Sequence, residues 1–141
     1  LHVDLPQGRH STIQINEVTI IDETYNSSPE SVEAALSLLV AKPGRHFAVL
    51  GTMLELGEKS VELHRKIAEQ VVNFGLDGLV IVSNGPEAAA MEIAAASVPL
   101  LTVVSSPEDA VAPLKEWLMA GDVVLLKASR GIALDRLLKL L

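Results

Sequence analysis

No cysteine occurs in the 141 residues, which removes disulfides and thiolate metal sites and fits a reducing compartment. No apolar run reaches the roughly 20 residues that a membrane span needs, and Leu1-His2-Val3-Asp4-Leu5-Pro6 lacks the basic and apolar regions of a secretory signal, so a soluble protein is expected. Basic residues are scarce: 11 against 18 acidic ones, a formal charge of −7. They are also scattered, which argues against nucleic acid as a partner. Anionic small molecules stay within reach, because a helix start and one or two cations hold a phosphate locally. An initiating Met is missing too, and Leu1 in its place suggests a piece of something longer.

What is present is ample apolar material. A hydrophobic share of 49% and a mean hydropathy of +0.36 suffice for the core of one domain. Arg9–Gln14 and Val18–Ile21 read as a hairpin turning at Asn16-Glu17. From there, apolar runs at His46–Leu50, Leu79–Val82, Leu100–Val104 and Val123–Leu126 alternate with helical patterns at Pro29–Leu39, Val61–Phe74, Pro86–Ala96, Pro107–Leu118 and Leu134–Leu140. Near-continuous Val, Leu and Ile in the strands is what a parallel sheet covered on both faces requires. The pattern predicts an α/β fold, a Rossmann-like three-layer domain with a mostly parallel sheet of about six strands and one antiparallel edge strand.

The segment Asp22-Glu23-Thr24-Tyr25-Asn26-Ser27-Ser28-Pro29 joins a strand to a helix, at the sheet edge where open α/β folds bind ligands. Ser-Ser-Pro-Glu recurs at Ser105–Glu108, so in both places it signals a helix start, with a Ser cap, Pro in the first turn and a following acid. A claim for function therefore rests on Asp22, Tyr25 and Asn26. They offer an acceptor for ribose hydroxyls, an aromatic face and an amide; equally, they suit a capped turn packed on the sheet edge.

Gly51–Ser60 looks like a phosphate loop but misses it. Five residues separate Gly51 from Gly57 where the motif has four, and Glu58 stands where Lys is needed. A bend with Leu54 and Leu56 tucked inward is the simpler reading. His64 shares a helix face with Val61, Ala68 and Val71, which predicts a buried ring bonded to a backbone carbonyl, or alternatively a brace for the Gly51–Gly57 loop. His2, His10 and His46 show no metal-ligand spacing, and no metal site is expected within the chain. Lys127, Ser129 and Arg130 follow the last strand and suit a carboxylate, or else simple pairing with Asp122 or Asp135. Arg9 reads as a solvated strand residue or a phosphate contact.

Together, Gly8-Arg9, Asp22 through Pro29, Leu50 through Gly57, Leu63-His64 and Lys127 through Arg130 resemble the C-terminal domain of the Mur ligases over essentially the whole chain. The resemblance implies that residues 1–8 end a linker from a central domain and that residues 9–141 form the domain that closes over ATP and presents the incoming amine. It implies an ATP-dependent ligase of cell-wall precursor synthesis in the bacterial cytoplasm. D-alanyl-D-alanine would be joined through an acyl phosphate to UDP-N-acetylmuramoyl-tripeptide. Arg9, Asp22, Tyr25 and Asn26 would face ATP, Lys127, Ser129 and Arg130 the dipeptide, and Thr52 and His64 would support the loop. Catalytic groups and the magnesium ligands would lie mainly in the central domain, leaving this fragment inactive by itself. The family commonly has Asp where Thr52 stands, Asn where Ser28 stands and Gly where Ala128 stands. Alternatives are a folylpolyglutamate-type ligase of the same superfamily, a receiver-type signalling module, and a free-standing nucleotide-binding or scaffold domain.

Overall fold

The computed structural model describes residues 11–23 and 28–127. Strands β1 (Ser11–Ile15) and β2 (Val18–Asp22) form an antiparallel hairpin. Its two turn residues, Asn16 and Glu17, have φ of 49° and 66°, the pair of left-handed conformations that matches the twist of a two-residue hairpin. There follow α1 (Pro29–Val40), β3 (His46–Gly51), α2 (Ser60–Phe74), β4 (Gly78–Val82), α3 (Pro86–Ala94), β5 (Leu100–Val104), α4 (Val111–Trp117) and β6 (Val123–Lys127). The six strands are ordered β1-β2-β6-β3-β4-β5, and every pair except β1–β2 is parallel.

Helical spacing explains which side each helix covers. In α1 the buried residues are Val32, Ala35, Leu36 and Leu39, and in α2 they are His64, Ile67, Ala68 and Val71, each an i, i+3, i+4, i+7 stripe. These stripes and Met91 of α3 pack on the sheet face carrying Ile21, Ala48, Leu50, Leu79, Ile81 and Leu125. Helix α4 covers the other face through Val111 and Leu114, against Ile20, Phe47, Val49, Val80, Val124 and Leu126. Consecutive strand residues thus feed opposite cores, as the period of two dictates, and each fully buried Leu, Ile or Val contributes about 1.5–3 kcal/mol. Val61, grouped by spacing with the buried face of α2, is exposed instead.

One segment differs from the sequence reading. Pro107–Ala110 is a 3-10 turn, and α4 begins afresh at Val111. Pro113 has no N–H to give the Asp109 carbonyl, so α-helical bonding cannot run through from Pro107. The helix expected at Leu134–Leu140 lies outside the described residues.

The amino-terminal ends of the parallel strands are tied by charge. Arg45 donates from Nε and Nη2 to the two carboxylate oxygens of Asp122 at 3.0 and 2.8 Å, and from Nη2 to the Trp117 carbonyl at 2.9 Å. Asp122 also accepts the Met119 N–H at 2.7 Å. The guanidinium lies 4.9 Å from the Phe47 ring centre, and Phe47 stacks on Trp117. The Asp122 carboxylate holds the Arg45 pKa above its ordinary value, chiefly through the hydrogen bond. Gly44 lets this corner close: its φ is +114°, and a Cβ there would sit 2.1 Å from the Gly121 carbonyl oxygen.

Candidate functional site at the carboxyl edge of the sheet

Strand order sets which side chains meet at the other end. Because β6 inserts between β2 and β3, Asp22 pairs with Leu126 and Lys127 with Leu50, and the Glu23 N–H extends the ladder to the Leu126 carbonyl at 2.9 Å. Lys127 Nζ donates to the Glu23 carbonyl at 3.0 Å and lies 3.8 Å from Glu23 Oε1, with its side chain only 1% exposed. Burial pushes the Lys127 pKa down, and the neighbouring Glu23 and Asp22 carboxylates partly offset this. Lys127 is therefore built into the edge and straps β6 to β2. It does not pair with Asp122, which lies at the opposite ends of the strands with Arg45.

Beside this edge, Ser28 caps α1 in a reciprocal box. Ser28 Oγ accepts the Ser31 N–H at 3.2 Å, and Ser31 Oγ accepts the Ser28 N–H at 2.9 Å. Both hydroxyls serve the helix start, as the repeated Ser-Ser-Pro-Glu suggested. Of the residues singled out for ligands, Asp22 and Lys127 are brought to neighbouring strand ends. Arg9, Tyr25, Asn26, Ser129 and Arg130 lie outside the described residues.

The loop from β3 to α2 forms the next part of the edge. Thr52 is half-buried and Met53 buried. The Met53 N–H donates to His64 Nε2 at 2.8 Å, so that nitrogen carries no proton, and Nδ1–H donates to the Ser60 carbonyl at 2.7 Å. Both readings of His64 hold at once: the ring is fully buried and bonded to a carbonyl, and it braces the loop. Leu56 packs against the core while Leu54 is 75% exposed, which corrects the expectation that both tuck inward. Glu55 between them has φ of +63°, a left-handed conformation that is uncommon outside glycine, and the turn it makes leaves Leu56 facing in and Leu54 out.

One participant escaped the sequence reading altogether. Glu87, in the first turn of α3, accepts the Ser60 hydroxyl at 2.7 Å. This bond, ahead of the other influences, lowers the Glu87 pKa below the ordinary carboxylate value. In the sequence, Pro86-Glu87 signals only a helix start, and nothing in its spacing from Ser60 or His64 marks a contact.

The chain is similar to known proteins in sequence and fold. A UDP-N-acetylmuramoyl-tripeptide--D-alanyl-D-alanine ligase from Synechocystis is 40% identical over 136 residues, 95% of this chain and 30% of the relative. The Mycobacterium leprae protein of the same name is 37% identical over 153 residues, 94% of this chain and 30% of the relative. The chain thus spans about 30% of the length of these relatives. Among solved structures, MurF ligase from Thermotoga maritima in complex with ADP superposes with a TM-score of 0.79 and 35% identity, covering 98% of this chain and 31% of that one. The family described as Mur ligase, glutamate ligase domain, matches residues 8–130, and on that match the chain belongs to the Mur ligase family.

Proposed function

We propose that this chain is the C-terminal domain of an ATP-dependent ligase that joins D-alanyl-D-alanine to UDP-N-acetylmuramoyl-tripeptide in peptidoglycan precursor synthesis in the bacterial cytoplasm. The observation that carries the reading is the 40% identity, across 95% of the chain, to a ligase of that name. ATP, when bound, supplies the phosphoryl group that turns the tripeptide carboxylate into an acyl phosphate open to attack by the dipeptide amine. The chain's own part is to bind, orient and exclude water.

On this reading Asp22 accepts hydrogen bonds from the nucleotide ribose, Tyr25 and Asn26 contact the adenosine portion, and Arg9 approaches the phosphates. Arg130 and Ser129 hold the dipeptide carboxylate. Lys127, tied to Glu23 at 3.0 Å, adds its charge from beneath the edge and keeps β2 and β6 in register there. Magnesium belongs with the phosphates. On this reading its ligands lie mainly in a central domain.

Steady-state kinetics of the full-length enzyme test the assignment. Arg130→Ala is expected to raise the KM for D-alanyl-D-alanine by about tenfold or more, well before that for ATP changes. A change confined to the ATP constant would sink the assignment of Arg130 to the dipeptide.

A further inference from the structure

Four groups between the sheet edge and α3 form a hydrogen-bond chain in which every donor points the same way. The Met53 N–H donates to His64 Nε2 at 2.8 Å. His64 Nδ1–H faces the Ser60 carbonyl at 2.7 Å and the Ser60 hydroxyl oxygen at 3.4 Å. That hydroxyl in turn gives its proton to Glu87 Oε2 at 2.7 Å. A carboxylate accepts and cannot donate, so Glu87 fixes the direction of the Ser60 hydroxyl. The Ser60 lone pairs then face the histidine and join the Ser60 carbonyl in receiving the proton on Nδ1, which leaves Nε2 bare for Met53. A proton on Nε2 instead would face the Met53 N–H beside a fully buried ring, where an unmet donor is costly.

We propose that Glu87 is a positioning residue for the Thr52–Leu56 loop, acting through the Ser60 hydroxyl and the His64 ring. The loop follows the central strand β3, directly beside the Lys127 strand end. With Met53 pinned and Leu56 in the core, Thr52 and Leu54 have one set position at the carboxyl edge. Resting on the ligase reading above, the inference gives this loop one wall of the site for the incoming dipeptide, and the network keeps that wall preformed. Ser60 precedes α2's buried stripe and Glu87 starts α3, so the loop is indexed to two helices rather than left to its own few residues.

Two measurements separate the network from the reading it rests on. Ring-nitrogen NMR of the full-length enzyme with labelled histidine is expected to show His64 with the proton on Nδ1. Glu87→Gln or Ser60→Ala should shift the His64 ring nitrogens and the Met53 amide; an unchanged ring and amide in both variants would overturn the network. In the full-length enzyme, Glu87→Gln is expected to raise the KM for D-alanyl-D-alanine about fivefold with kcat within about twofold. In a His64→Gln background, which lacks the ring that links Ser60 to Met53, the same substitution should change KM less than about twofold. An equal effect in both backgrounds would mean that Glu87 serves only the start of α3, and the positioning role would be rejected. Normal network signatures with no KM effect would reject the dipeptide wall while leaving the hydrogen-bond chain intact. An enzyme that ligates some other amine would instead show the failure in the ligase reading.

Discussion

At the amino-terminal ends of the strands, Arg45, Asp122, Trp117 and Met119 complete one another, and a glycine is placed where any Cβ would strike the Gly121 carbonyl. At the carboxyl ends, the described residues gather charged and polar side chains: Asp22, Glu23, Thr52 and a buried Lys127 whose ammonium is held against its preference for water. The first edge is organised to keep the strands together. The second carries electrostatic tension of the kind that accompanies ligand sites in open α/β sheets. On the proposed function, one chain thus divides stability and recognition between opposite ends of the same strands.

Substitutions can break that division. The largest effect is expected at Gly44→Ala, where a methyl 2.1 Å from a backbone oxygen and a φ of +114° should destabilise the domain by about 3 kcal/mol or more in chemical denaturation. Asp122→Ala follows. It leaves the Met119 N–H unmet and frees Arg45, but the arginine side chain is 39% exposed and recovers water, so about 2–3 kcal/mol is expected rather than the full cost of a buried pair.

Lys127→Met should have the smallest effect on stability, about 1 kcal/mol or less near neutral pH, and it sharpens the comparison through its pH dependence. The folded pKa of Lys127 lies below the ordinary 10.5. Between the folded and unfolded values the unfolded chain binds the extra proton, so the wild type gains stability as pH rises through that window. The methionine variant should lose this rise. Parallel curves for the two proteins on the alkaline side would show that the lysine is not strained by burial.

Much of the fold could be read in advance because it depends on near neighbours in the chain. Asn16-Glu17 announced a hairpin turn between β1 and β2, and the apolar runs located β3 to β6. Ser-Ser-Pro-Glu marked two helix starts, yet the copies behave differently. Ser31, three residues beyond the first cap, can both donate and accept, and closes the box with Ser28. Asp109 in the equivalent place can only accept; it takes the Ser106 proton at 3.0 Å, and no side-chain cap forms. One residue beyond the shared motif decides the outcome.

The polar networks were less legible, since they join residues that are distant in sequence. Arg45 reaches Asp122 across 77 positions, and Ser60 reaches Glu87 across 27. Periodicity reports which face a residue occupies, not which remote side chain it meets there. His64 illustrates the limit: its place on the buried stripe was clear, whereas its simultaneous grip on Met53 required the loop to be seen in three dimensions.

The position of β6 carries a consequence for how such a domain comes into being. Among the described residues the hairpin bearing Asp22 pairs with the rest of the sheet only through this strand, and the bond from Lys127 to Glu23 spans 104 positions. On a ribosome, everything from β1 through β5 emerges before the strand that joins its two parts. Contacts of such long sequence separation form slowly, so the edge that brings Asp22 and Lys127 together is assembled among the last events of folding, and a chain interrupted before residue 123 has no such edge at all.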